Sequence, residues 1–105
     1  MISVLAGCQR EIGAPPEEIR GDIADALARL DAGLKLTMPL SRPMPSIDLG
    51  VHELRLKDRS GQYRIIYALI ESGVICDLHA FKKTTETMAK RNIDLARRRL
   101  REART

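Results

Sequence analysis

The hydrophobic period of this chain changes at residue 51, and that change limits the folds open to it. Before it, Ile19, Ile23, Leu27 and Leu30 recur at spacings of four, four and three. That is the stripe of an amphipathic helix, with Arg20, Asp22, Asp25 and Arg29 on its other side. From Val51 the period is two. Val51–Lys57, Tyr63–Ile70 and Val74–Phe81 read as strands, joined by Asp58-Arg59-Ser60-Gly61-Gln62 and by Glu71-Ser72-Gly73. Two short connections containing glycine imply an antiparallel meander. Between the two regimes, Leu34–Leu49 carries Pro39, Pro43 and Pro45. Prolines that close exclude a regular helix or a central strand, so the segment reads as an extended connector.

The remaining elements complete the pattern. Ile2–Leu5 reads as a short, truncated edge strand, and Gln9–Ile12 as a turn of helix before the break at Gly13-Ala14-Pro15-Pro16. Pro16 suits a first helical position, Glu17 and Glu18 suit a helix N-terminus, and Gly33 a C-terminal stop. A last helix follows with Thr87 as its candidate N-cap and Ala89, Ile93, Ala96, Leu100 and Ala103 along one face. The expected fold is α+β: a small, twisted, mainly antiparallel sheet in the order β-α-β-β-β-α, packed by N-terminal and C-terminal helices. With 105 residues, one domain spanning 1–105 is expected.

Several classes are disfavoured. The longest apolar run, Ile65–Ile70, is too short to span a bilayer, and Met1–Ala6 lacks the basic region of a secretory signal. A cytoplasmic protein without membrane contact is expected. Cys8 and Cys76 have no metal-binding or redox spacing, and Cys76 lies in an apolar run that implies a buried thiol. His52 and His79 are the only histidines, and no phosphate loop, Ser/His/Asp constellation or metal-ligand cluster is present. No metal and no cofactor are expected.

Charge narrows the field further. The net charge is +4, but residues 79–105 hold nine Lys/Arg against three Asp/Glu, a local +6. The strands also carry cations. Alternation places Val51, Glu53, Arg55 and Lys57 on one face and His52, Leu54 and Leu56 on the other. Arg55 and Lys57 then stand about 7 Å apart, close to one phosphate step of a single nucleic acid strand. Arg64 is the lone charge of an apolar strand, and Lys82 and Lys83 end the next one. Arg55, Lys57, Arg64, Lys82 and Lys83 are the candidate RNA-binding residues. Each also has a plainer reading. Arg55 and Lys57 suit a solvated face paired to Glu53 or Asp58, and Arg64 suits a pair with Asp77 one strand over. His79, sharing a face with Asp77 and Ile75, suits a structural hydrogen bond, and His52 a place at the edge of the core. The arginines of the last helix suit a solvated face.

The run "VHELRLKDRSGQYRIIYALIESGVICDLHAFKKTT", followed by "TMAKRNIDLARRRL", resembles the HigB-type, phage-derived branch of the RelE/ParE toxin superfamily. The "ELR" strand, the "YR" hairpin, the "LHAF-K-K" strand end and the "RL" helix carry the resemblance, with "PPEEIRGDIADALARL" suiting the family's first helical region. It implies a toxin of a type II toxin–antitoxin system. The implied activity is ribosome-associated, metal-independent endoribonuclease action on mRNA, by attack of the substrate's own 2′-hydroxyl. By position in the family pattern, Arg55 and Lys57 match its basic pair and Arg64 its phosphate or transition-state contact. Lys82 and Lys83 match its basic or acid/base positions. No tyrosine follows the last strand, where ribonuclease members use one, so His79 and Lys83 become the proton-transfer candidates. The implied catalytic set is Arg64, Lys57, Lys83 and His79. The implied partners are mRNA, the ribosome and a cognate antitoxin of helix-turn-helix type, the chain being monomeric alone or heteromeric with that antitoxin. Two rival readings are a non-nucleolytic inhibitor of a protein such as DNA gyrase, and an inactive prophage interaction module.

Overall fold

Residues 51–83 form the predicted meander, and every other element packs around it. The computed structural model describes residues 2–71, 73–84 and 86–104. Among these the elements run β1 (Ile2–Val4), α1 (Ala6–Ile12), α2 (Glu17–Asp31), β2 (Ser41–Pro43), β3 (Val51–Asp58), β4 (Gly61–Leu69), β5 (Ile75–Lys83) and α3 (Lys90–Ala103). The five-stranded sheet has the order β1-β5-β4-β3-β2. Only the β1–β5 pairing is parallel. Ser72, in the predicted β4–β5 turn, lies outside the described residues.

Two apolar layers hold the sheet. On one face, Ile23, Ala26 and Leu30 of α2, with Cys8 of α1, pack on Leu54, Ile65, Tyr67, Ile75 and Ala80. On the other, Ala96 and Leu100 of α3 pack with Val51, Ile66, Ala68, Cys76 and Leu78. The stripes legible in the sequence are therefore the ones buried. Cys8 and Cys76 are buried free thiols. Among the described residues, no helix is long and apolar enough to cross a membrane.

The helix ends are partly as expected. Gly33 has φ +87°, its N–H donates to Leu30 O at 3.0 Å, and Leu34 N–H donates to Arg29 O at 3.0 Å. These two bonds are a Schellman cap, which needs a left-handed residue. Gly33→Ala should cost about 1 kcal/mol, read as a lower urea midpoint at unchanged slope. Pro16 proves to be the N-cap of α2 rather than its first helical residue. At α3 the cap is Ala89, held extended at φ −61° and ψ 141° with no side-chain hydrogen bond, so Thr87 does not cap the helix.

Two features depart from the expectation. The proline-rich connector contains β2, which pairs Ser41 with Leu54 and Arg42 with Glu53. Pro43 is tolerated there because an edge strand needs no donor on its outer side. The second departure is a bulge in β5. Ile66 faces His79 while Tyr67 faces Asp77, so Leu78 is the extra residue. A bulge inverts the alternation beyond it. His79 and Asp77 thus belong to opposite faces, contrary to the reading that joined them.

Candidate functional site

Cross-strand partners share a face, so the registers define a grid of side chains on the α3 side of the sheet. At the open end, Lys57, Gln62 and Lys83 form a row; Arg55, Arg64 and Phe81 form the next. The third row runs Arg42, Glu53, Ile66 and His79. Rows are spaced about 7 Å along the strands. The apolar contacts of α3 begin beyond this end, where Ile66, Ala68 and Leu78 lie under Ala96 and Leu100.

Glu53 is the electrostatic centre of the grid. Its side chain is 3% exposed, and Oε1 lies 3.5 Å from Arg42 Nη2, 3.7 Å from Arg55 Nε and 3.7 Å from Arg64 Nε. Arg64 is itself 5% exposed. It donates from Nη1 to Tyr63 O at 3.1 Å and from Nη2 to Gln62 Oε1 at 2.9 Å. Burial lowers the Arg64 pKa; Glu53 opposes that shift, while Arg55 and Arg42 add to it. The group stays a cation because guanidinium starts so high. Arg64 therefore pairs with Glu53 and not with Asp77, which sits on the opposite face.

Arg64 also lines three clefts, two of them with other cations of this grid. One, of about 430 Å³, adds Arg55, Lys57, Gln62, Leu40 and Pro39. The other, of about 360 Å³, adds Arg42, Glu53, Phe81, Lys83 and Met88. Three cations against one carboxylate leave the cluster at +2, with Lys57 and Lys83 at its mouth. Such an arrangement binds anions, and it can stabilise a phosphoryl centre that gains negative charge.

The candidates divide accordingly. Arg55, Lys57, Arg64 and Lys83 come together, while Lys82 points to the other face. There it lies across Gly61, where a Cβ would meet Lys82 Cε at 2.6 Å. It lines the third cleft, with Tyr63, Ser60, Pro16 and Arg64.

His79 shares the face but not the opening. It is 4% exposed and has both ring nitrogens engaged, Nδ1 with Glu11 Oε1 at 2.9 Å and Nε2 with Asn92 Oδ1 at 2.8 Å. Glu11 Oε1 also accepts from Arg99 Nη1 at 2.7 Å and from Ala80 N–H at 3.1 Å. Burial alone would raise the Glu11 carboxyl, but these bonds outweigh it and hold it below the usual range. The network joins α1, β5 and α3. It makes His79 a rivet between elements. His52 stacks on Tyr67 with ring centroids 5.4 Å apart, at the edge of the core as expected.

In α3 Arg97 donates to Ser46 O, and at its C-cap Arg104 pairs with Asp48 at 3.0 Å. Arg99 turns inward, onto Glu11 and Leu78 O. Arg42 was not a candidate from sequence, because nothing in the proline-rich connector fixes its pairing with Glu53. Glu53 carried a weak signal: it stands two residues from Arg55 and so on the same strand face.

Comparison with known proteins agrees with this architecture. The model of the family described as phage-derived protein Gp49-like matches residues 10–101. No curated protein matches the chain. Among solved structures, the isolated RelE toxin of E. coli superposes with a TM-score of 0.58 at 19% identity, covering 82% of this chain and 87% of that one. The intact E. coli RelBE toxin–antitoxin complex gives 0.54 at 20% identity, covering 81% and 98%. The RelBE2 toxin–antitoxin complex of Mycobacterium tuberculosis gives 0.54 at 15% identity, covering 79% and 96%. With nearly the whole chain matched by the family model and the sheet and helices matched in space, this chain belongs to the phage-derived Gp49-like family and has the fold of the RelE toxins.

Proposed function

We propose that the chain is the toxin of a type II toxin–antitoxin pair and acts as a metal-independent endoribonuclease on mRNA at the ribosome. The observation that carries this reading is the arginine cluster around Glu53, flanked by two clefts that share Arg64. A single RNA strand crossing the sheet would set one nucleotide in each cleft and the phosphate between them on Arg64. The 2′-oxygen then attacks that phosphorus, a pentacoordinate phosphorane forms, and the P–O5′ bond breaks. The products are a 2′,3′-cyclic phosphate and a 5′-hydroxyl. Arg64, Arg55 and Arg42 offset the charge that builds on the phosphorane. Of Lys57 and Lys83, either side of Gln62, one takes the proton of the 2′-hydroxyl as a neutral amine and the other, as an ammonium, delivers one to the leaving oxygen. Phe81, aligned with Arg64, offers an apolar wall beside it.

The partner in this reading is an antitoxin of helix-turn-helix type, whose acidic segments would cover the basic face. Two of the fold relatives are complexes of toxin with antitoxin. Expression of the wild-type chain in a bacterium without that antitoxin should arrest growth and leave cut mRNA, and Arg64→Ala should relieve both. DNA breaks with intact mRNA would point instead to a gyrase-type target. Normal growth with abundant folded protein would remove the toxin reading.

A further inference from the structure

Glu53 is a buried carboxylate at the focus of a basic site, and its geometry is unusual for a salt bridge. Arginine and carboxylate normally meet through hydrogen bonds of about 2.7–2.9 Å. Here all three guanidinium groups stop at 3.5–3.7 Å from the same oxygen. Glu53 Oε1 is buried and accepts no hydrogen bond from any described residue. The attraction therefore gathers the three cations while leaving their N–H groups for another acceptor. Among the described residues, the Arg55 guanidinium makes no hydrogen bond, and Arg42 Nη2 has only the weak acceptor Met44 Sδ at 3.4 Å. Arg55 faces one cleft and Arg42 the other, with Arg64 common to both.

We propose that Glu53 is a positioning residue: it holds Arg42, Arg55 and Arg64 as an anion-binding cradle of net charge +2 without using their donors. The kinetic part of this proposal rests on the nuclease reading; the anion-binding part does not. Buried behind the arginines, Glu53 is not a proton-transfer group. Its charge lowers the affinity of the cradle for any anion, and its position raises the rate at which a correctly placed phosphate reacts. The net +2 matches a dianionic phosphorane better than the single charge of the diester before attack, so the cradle favours the transition state over the ground state.

Two variants test this, Glu53→Gln and Glu53→Asp, with folding checked by urea titration. Binding of inorganic pyrophosphate is measured by calorimetry and cleavage of a short RNA under single-turnover conditions. Glu53→Gln should bind pyrophosphate about fivefold tighter, because a negative charge has left the site. It should cut RNA about 30-fold more slowly, because the guanidinium groups are no longer held in register. Glu53→Asp keeps the charge but withdraws it by one methylene; it should bind pyrophosphate like the wild type and cut about fivefold more slowly. A residue needed only for folding would change neither quantity in the folded protein. Unchanged or weaker pyrophosphate binding by folded Glu53→Gln overturns the proposal, as does an unchanged cleavage rate. If Glu53→Gln does not fold, wild-type kinetics in Glu53→Asp overturn it. If the wild type cuts no RNA, the nuclease reading falls alone and pyrophosphate decides the role of Glu53.

Discussion

Arg64→Ala should lower single-turnover RNA cleavage by about 10²–10³-fold, the loss typical when one preorganised donor to a developing oxyanion is removed. Arg64 is singled out because it is the only cation of the cluster lining both clefts and because its own bonds lock it in place. A rigid, largely buried guanidinium needs no reorganisation when charge develops next to it. Arg64→Lys should recover little, since an ammonium on a flexible stem cannot reproduce a planar fork held by Tyr63 O and Gln62. The loss should appear in the rate more than in binding, because Arg42, Arg55, Lys57 and Lys83 still supply the cationic surface. Folding should survive, since Glu53 keeps two of its three counter-charges. Equal falls in affinity and rate would instead describe Arg64 as one contact among several.

The second large effect lies on the opposite face. Asp77 is fully buried and, among the described residues, neither carboxylate oxygen has a hydrogen-bond partner. Burial pushes its pKa from 3.8 up to about 7. The folded state then keeps a proton that the unfolded chain has lost. Its contribution to stability is intact below about pH 4, declines as pH rises through the interval, and levels off above about pH 7. The full difference is on the order of 4 kcal/mol. Asp77→Asn removes the titration while preserving shape. Its stability relative to wild type should therefore climb between pH 4 and pH 8 by several kcal/mol, measured as the gap between urea unfolding free energies. A gap that does not change with pH would mean that Asp77 finds a partner or water in solution. The same buried charge raises the neighbouring thiol of Cys8, after burial itself, so that cysteine should react slowly with thiol reagents.

The meander, the α2 stripe and the cap at Gly33 were legible because each is a local pattern: a period, or a glycine where φ must be positive. The cation face was half legible for the same reason. Alternation puts Arg55 and Lys57 together, and it equally separates Lys82 from Lys83, which the family resemblance had treated as a pair. What stayed hidden depends on long-range register. Leu78 is one inserted residue in a run that looks regular, yet it turns Asp77 to the face opposite His79 and Phe81 and leaves His79 in the network of Glu11, Asn92 and Arg99. Arg42 reaches Glu53 only because a three-residue edge strand forms among prolines, a place where composition argues against strands. The start of α3 was missed because Thr87 has the right side chain for a cap while the backbone stays extended through Ala89.

The central claim, that the Arg42, Arg55 and Arg64 cradle cuts RNA, is tested most directly by the ends of the fragments. Purified protein is added to a translating extract containing a defined mRNA, with and without a chelator, and the new termini are characterised chemically. The account predicts 2′,3′-cyclic phosphate and 5′-hydroxyl ends, formed equally with the chelator and absent with Arg64→Ala. Fragments with 5′-phosphate ends that vanish with the chelator, or mRNA left whole by a folded wild-type protein, would contradict it.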